Sequence, residues 1–395
     1  MTFPEEPGTR APGADAAVLT IDLDALGANW RLLRDRSRDG ACAAVVKANA
    51  YGTGIERAVP ALAAAGCRTF FVAQVSEGRR VRRVDPAAEI YLLDGLLPGG
   101  AGELVAANLR PVLGSADEVR EWVEACGGTA LPAALHVDTG MNRLGVPVEE
   151  ALALRAEGAF AALGDMLLMT HLVVAEDAGH PINARQAAAF RALMRAFPGA
   201  RTSFSNSSGG FLPDAPACDL ARPGYSLYGG NPTPGRENPM RPVVRLEATI
   251  LQVRDVPAGA GAGYGTHWSA PGPRRLATLA LGYADGYPRA AGGTDAKIRA
   301  GTPFGQALVG GVRCAFAGVL SMDLTILDVT EAPADAARRG GTAVMIGDGL
   351  EIDEVGMRAG TIGYEILTGL GDRYRRVYVG DGTGTATGTA TGTGG

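Results

Sequence analysis

From about residue 18 to residue 228, short apolar runs alternate with amphipathic or Ala-rich segments, and no other feature restricts the fold as much. The runs include 43–46, 69–72, 89–93, 133–137, 166–169 and 202–204; the segments 25–34, 55–65, 116–125, 148–155 and 184–197 carry an apolar stripe at helical spacing. Strand followed by helix, repeated, implies parallel strands joined by crossovers. Roughly eight such units fit a closed TIM-like α/β barrel, whose reactive groups sit at the strand C-terminal ends. An open doubly wound sheet fits less well, because the one Gly-rich candidate after a strand, Ser207-Ser208-Gly209-Gly210, lacks dinucleotide spacing.

After the Pro-rich stretch 231–242 the texture changes. Segments 244–253, 276–281, 306–309, 315–320 and 324–329 are short, rich in β-branched residues and bounded by Gly, Pro or Asp, which predicts a mainly-β domain. A helix is expected over 352–360, ahead of a Tyr/Arg-rich stretch ending near residue 379. The expected divisions are therefore a barrel over 15–240, a β domain over 241–379 and a flexible Gly/Thr tail over 380–395.

Composition excludes several classes. Apolar residues make up 46% and charged residues 20%, enough for a sizeable core. A net charge of −5 without any Lys/Arg-rich run gives no footprint for nucleic acid. The five cysteines are scattered and lack CxxC spacing, and the four histidines have no ligand spacing, so neither a disulfide framework nor a metal site is expected. The first 16 residues lack the apolar stretch of a secretory signal, and no run reaches the ~20 apolar residues of a membrane span. A soluble, cytoplasmic protein with no membrane partner is expected.

Of the 37 basic residues only Lys47 and Lys297 are lysines. In a chain that uses Arg so freely, a retained lysine suggests chemistry that guanidinium cannot perform, since an amine can lose its proton and form a Schiff base. Lys47 follows the apolar run 43–46 and stands where a barrel places reactive groups, whereas Lys297 lies in a polar stretch and reads as a surface residue.

The stretch Val45-Val46-Lys47-Ala48-Asn49-Ala50-Tyr51-Gly52-Thr53-Gly54 resembles the pyridoxal-phosphate lysine motif of alanine racemases. Further stretches match that family in order: Val137-Asp138-Thr139-Gly140-Met141-Asn142-Arg143-Leu144-Gly145, Thr170-His171, Ser205-Asn206-Ser207, Arg222-Pro223-Gly224-Tyr225, Gly263-Tyr264-Gly265, Gly282-Tyr283-Ala284-Asp285-Gly286-Tyr287, Ser321-Met322-Asp323 and Thr361-Ile362-Gly363-Tyr364-Glu365. The resemblance spans about residues 17–379 and carries the family's barrel and β domain with it.

It implies a pyridoxal 5'-phosphate enzyme that interconverts L- and D-alanine, a homodimer with composite sites, and D-alanine for bacterial wall synthesis as product. Lys47 would hold the cofactor covalently and move a proton on one face of the α-carbon. Tyr264, from the partner subunit, would serve the opposite face, and a phenol in that office must be hydrogen-bonded or otherwise perturbed. Arg222 would face the pyridine nitrogen and leave it unprotonated. His171 would pack near the ring and hydrogen-bond to Arg222. The phosphate would rest on Tyr51, Ser207, the backbone at Gly224 and Tyr225, and Tyr364. Arg143 would bind the cofactor's phenolic oxygen and the substrate carboxylate region, with the backbone of Met322 of the partner subunit on that carboxylate. Tyr283 of the partner subunit and Tyr364 would narrow the entrance.

Each residue also has a plainer reading: a turn tyrosine at 264, a surface arginine at 222 and a core histidine at 171. Two departures from the family pattern matter. Thr53 stands where His is usual, and His136 stands where many members carry a carbamylated lysine beside Arg143. Histidine cannot carry a carbamate anion, so an anion such as chloride, or a nearby carboxylate, is expected to balance Arg143. The alternatives are a broader small-amino-acid racemase accepting serine, a decarboxylase of the same architecture, and a non-catalytic pyridoxal-phosphate carrier. Arg222 argues against the decarboxylase, which usually places a carboxylate there, and the second domain argues against the carrier.

Overall fold

The computed structural model describes residues 15–384. Seven strands pair in parallel, in the order Ala44–Val45, Thr69–Val72, Glu89–Leu92, Arg110–Leu113, Leu131–Asp138, Leu163–Met169 and Arg201–Ser203. The eighth position belongs to Leu220–Ala221, which pairs with Ala41–Cys42. Its flanks close the ring: Asp219 and Arg222 N–H groups donate to the Thr202 and Ser205 carbonyls at 3.0 and 2.8 Å, and Ala43 N–H donates to the Ala221 carbonyl at 2.9 Å. Most of the strand residues are apolar and buried because both faces are covered, one by the barrel interior and one by the crossover helices, with the charged Glu89, Arg110 and Arg201 at strand starts.

Those helices include Ile55–Ala65, Val75–Val84, Ala116–Cys126, Val148–Ala156 and Pro181–Ala196. Their starts follow local chemistry. The Ser115 hydroxyl accepts from Glu118 N–H at 3.2 Å, and Asp22 accepts from Ala25 N–H at 2.8 Å to begin Leu23–Arg36. At the N-terminal end of the barrel, opposite the expected site, Glu89 forms ion pairs with Arg110 and Arg201 and accepts from Tyr91 and Thr69, both at 2.9 Å.

The β domain is built on the 13-residue strand Val244–Val256, which pairs antiparallel with Ala17–Asp22, Arg274–Leu279 and Thr342–Ile346. Ala17–Asp22 also pairs in parallel with Arg375–Val379, so the chain begins in the β sheet, leaves to form the barrel and returns. Local pattern alone put this first apolar stretch at the head of the barrel alternation. Its alternating burial, with Ala17, Leu19 and Ile21 facing inward, suits a sheet packed on one side.

The strand expected over 315–320 is corrected to Val312–Ala315, which forms a hairpin with Gln306–Val309. Gly310 and Gly311 have φ of +57° and +79°, so both central turn residues are left-handed, and that two-residue turn sets the register. The helix near 352 runs Ile352–Ala359 and ends on left-handed Gly360.

The tail expectation lies mostly outside the described residues. Its first part rests on the helix Leu23–Arg36, where Asp24 accepts from the N–H groups of Asp381 and Gly382 at 3.1 and 2.9 Å. The five cysteines are buried and free, and among the described residues no helix is long and apolar enough to cross a membrane.

Candidate active site

Lys47 leaves the barrel just past Ala44–Val45 and opens an unusual turn. Ala48, Asn49, Ala50 and Tyr51 have φ of +52°, +56°, +54° and +51°, followed by Gly52 at +78°. Left-handed backbone costs an L-residue about 1–2 kcal/mol, so four in succession persist only because neighbours hold them. Within the turn, Ala50 N–H donates to the Val46 carbonyl and Gly52 N–H to the Ala48 carbonyl, both at 2.9 Å. From outside, Glu77 accepts Asn49 N–H at 3.2 Å, and the Asn49 side-chain oxygen accepts from Arg80 at 2.6 Å and from Ile55 N–H at 3.2 Å. Thr53 closes it, its hydroxyl donating to the Ala50 carbonyl at 2.6 Å.

Asn49, Glu77 and Arg80 were not singled out in the sequence. Asn49, a residue that tolerates left-handed backbone, was the available signal.

Lys47, Tyr51, Arg143, His171, Ser207, Arg222, Gly224, Tyr225 and Tyr364 all line one cavity of about 610 Å³ at the C-terminal mouth of the barrel, together with His136 and Asp94. Burial, reinforced by the Arg143 charge, lowers the Lys47 amine below its ordinary value, with Asp94 and Glu77 partly opposing.

Arg222 is buried, at 4% exposure. One arm of its guanidinium donates to the Ser203 hydroxyl and the other to the Thr170 carbonyl at 2.6 Å. The hydrogen bond expected between His171 and Arg222 is not formed among the described residues; Arg222 donates to Ser203 and Thr170 instead. Among the described residues no carboxylate pairs with Arg222, and burial lowers it to about 10. A buried cation satisfied only by neutral groups favours a neutral, hydrogen-bond-accepting ligand atom over one that must be protonated.

Burial and the Arg222 charge also push His136 down to about 4 and His171 to about 3, with Arg143 adding to both, so both imidazoles are neutral near pH 7. The loop carrying Arg143 is organised by Asp138, whose carboxylate accepts from the N–H groups of Gly140, Met141 and Asn142 at 2.7–2.8 Å. Among the described residues Arg143 makes no ion pair. Gln186, fully buried and missed in the sequence, donates to Thr139 at 3.0 Å and to the His171 carbonyl at 2.9 Å, fixing the strand ends around this loop.

At the other end of the cavity the Ser207 hydroxyl oxygen accepts from Gly224 N–H at 3.0 Å and Ser226 N–H at 3.3 Å, which leaves its own proton to donate. A methyl on Gly224 would fall 2.5 Å from the Tyr51 hydroxyl, so glycine is needed there for space. The Tyr51 ring stacks on Tyr228 at 4.7 Å and lies 6.2 Å from Tyr364. These donors around a small pocket suit a phosphate, and the cavity as a whole fits a phosphorylated pyridine aldehyde: an amine to bond it, an arginine for its ring nitrogen and hydroxyls for its phosphate.

Tyr264, Met322 and Tyr283 do not reach this cavity within one chain. They lie on the β domain, 73%, 55% and 39% exposed. Their loops are neighbours, since Tyr283 and Ala284 N–H groups donate to the Ser321 and Met322 carbonyls at 3.1 and 2.9 Å, and Gly263 backs onto Val319.

Comparison with known families supplies the deciding observation: the alanine racemase N-terminal domain model matches residues 21–232 and the C-terminal domain model matches 243–378. The chain belongs to the alanine racemase family. It is 58% identical over 371 residues to the alanine racemase of Methylobacterium sp. (strain 4-46), covering 93% of this chain and 99% of that one. Among solved structures, the alanine racemase of Bartonella henselae with covalently bound pyridoxal phosphate superposes with a TM-score of 0.85 at 36% identity, covering 92% of this chain and 99% of its own. The biosynthetic alanine racemase of Pseudomonas aeruginosa gives 0.84 at 33% identity, covering 93% and 100%. In this alanine racemase chain Thr53, at the position where His is usual, serves the Lys47 turn through its bond to Ala50.

Proposed function

We propose that the protein interconverts L- and D-alanine with pyridoxal 5'-phosphate, as a homodimer whose two sites are each completed by the other subunit. One observation carries this reading: the Lys47 amine and the carboxylate-free Arg222 face the same cavity. When bound, the cofactor supplies an electron sink that acidifies the α-hydrogen of the amino acid. Arg222 donates to the ring nitrogen and keeps it unprotonated, which moderates that sink. Tyr51, Ser207, Tyr364 and the backbone N–H of Tyr225 would hold the phosphate, with the Gly224 N–H orienting the Ser207 hydroxyl that donates to it.

Lys47 takes or returns the α-proton on one face, and Tyr264 of the partner subunit serves the other. Two groups are needed because one acting alone returns the proton to the side it left. Arg143 and the Met322 backbone orient the carboxylate, while Tyr283 and Tyr364 keep the side-chain pocket small. The exposure of Tyr264, Tyr283 and Met322 in one patch supports a composite site, since a tyrosine base in water would have nothing to orient it. Chloride or another anion balances Arg143, because His136 beside it is neutral.

Subunit mixing tests this reading. Lys47→Ala and Tyr264→Phe homodimers should each be inactive or nearly so in at least one direction. Mixing them one to one after dissociation places both lesions in one site of each hybrid and leaves the other intact, so about a quarter of wild-type activity should return. No recovery from hybrids shown to form would refute the composite site.

A further inference from the structure

We propose that Asp353, on the β domain, is a positioning residue for the phosphate end of the cavity and acts through Tyr225. The inference rests on the cofactor reading above. Asp353 lies in the first turn of Ile352–Ala359. One of its carboxylate oxygens accepts from the Tyr225 hydroxyl at 2.6 Å, and the other accepts from Asn231 N–H at 2.9 Å. A single carboxylate thus ties two points of the barrel segment that carries the phosphate-facing backbone to a helix of the other domain.

Tyr225 is gripped on every side. Its ring stacks on Tyr364 with centroids 3.9 Å apart and planes 12° from parallel. A Cβ at Gly230 would lie 2.0 Å from the ring, and one at Gly363 would lie 1.7 Å from the hydroxyl. Neither glycine has a left-handed backbone, so both serve to admit this side chain. With its ring packed and its hydroxyl tied, Tyr225 has little freedom at Cα, and the adjoining N–H groups of Gly224 and Ser226 stay directed at Ser207. The same stack sets Tyr364, whose ring lies between those of Tyr225 and Tyr51. Loss of Asp353 therefore loosens the phosphate pocket at its backbone and at its aromatic wall together.

The test compares two ligands that differ only in the phosphate. Wild-type, Asp353→Ala, Asp353→Asn and Tyr225→Phe full-length proteins, freed of bound cofactor, are dialysed against graded pyridoxal phosphate or pyridoxal, with bound ligand read from visible absorbance and the phosphate environment from its phosphorus NMR line. Asp353→Ala should weaken pyridoxal phosphate by at least about tenfold and Tyr225→Phe by about threefold or more, with pyridoxal unchanged within about twofold and the phosphorus line shifted. Asp353→Asn keeps an oxygen for the phenol and should fall between wild type and Asp353→Ala. Equal weakening of both ligands, or none, overturns the proposal; Tyr225→Phe decides it should Asp353→Ala fail to fold. A wild-type protein that takes up neither ligand overturns the cofactor reading itself.

Discussion

Acid should unfold this protein through two histidines in its cavity. His136 and His171 are held at about 4 and about 3, against 6.5 for a free imidazole, because burial and the Arg222 charge oppose their protonation. The unfolded chain therefore binds protons that the folded chain refuses, and stability falls as pH drops below about 6.5. The loss ends only when pH falls past the folded values. At pH 5 each imidazole favours unfolding by about 2 kcal/mol relative to pH 7.5, or about 4 kcal/mol for the pair. Urea unfolding at both pH values checks this in wild type, His136→Asn and the His136→Asn, His171→Asn double variant. The loss between pH 7.5 and pH 5 should be smaller by about 2 kcal/mol in the single variant and by about 4 kcal/mol in the double. Parallel pH profiles for all three proteins would refute the reasoning.

Other expectations follow from the same geometry. Gly224→Ala drives a methyl against the Tyr51 hydroxyl and should weaken pyridoxal-phosphate retention by about tenfold or more, with an overpacking cost of about 1–3 kcal/mol seen in urea. Ala48→Gly, at an exposed left-handed position, should raise stability by up to about 1 kcal/mol, whereas Ala48→Val should lower it by about 1–2 kcal/mol. Glu89→Gln removes one of the two carboxylates that Arg110 and Arg201 share, Asp165 remaining paired with both, and should cost about 1–2 kcal/mol. Since Glu89 sits at the far end of the barrel, KM for alanine should stay unchanged; a raised KM would show that the network reaches the site.

Much of the fold was legible because its signals are local. Ile55–Ala65 and Thr69–Val72 run where their periodicity and apolar content put them, and their chemistry needs no distant partner. Ala17–Asp22 was misassigned because a strand's partner is not written in its own residues: the stretch alternates equally well at the head of a barrel or in a β sheet, and only Val244–Val256 and Arg375–Val379 decide. In the site, Lys47 announced itself by rarity and Arg222 by its place in a motif. Gln186, Glu77, Arg80 and Asp353 did not, since each acts on a residue distant in the chain and belongs to an ordinary helical pattern.

The amino-acid sequence by itself determined which groups are available for chemistry: one amine at a strand end, an arginine ahead of a Pro-Gly pair, and a phenol between two glycines. Only the tertiary structure decided their states. Removing Arg222 from water without a counter-charge, and two imidazoles along with it, depends on what the folded chain packs around them, and a proton affinity is a property of those surroundings more than of the residue.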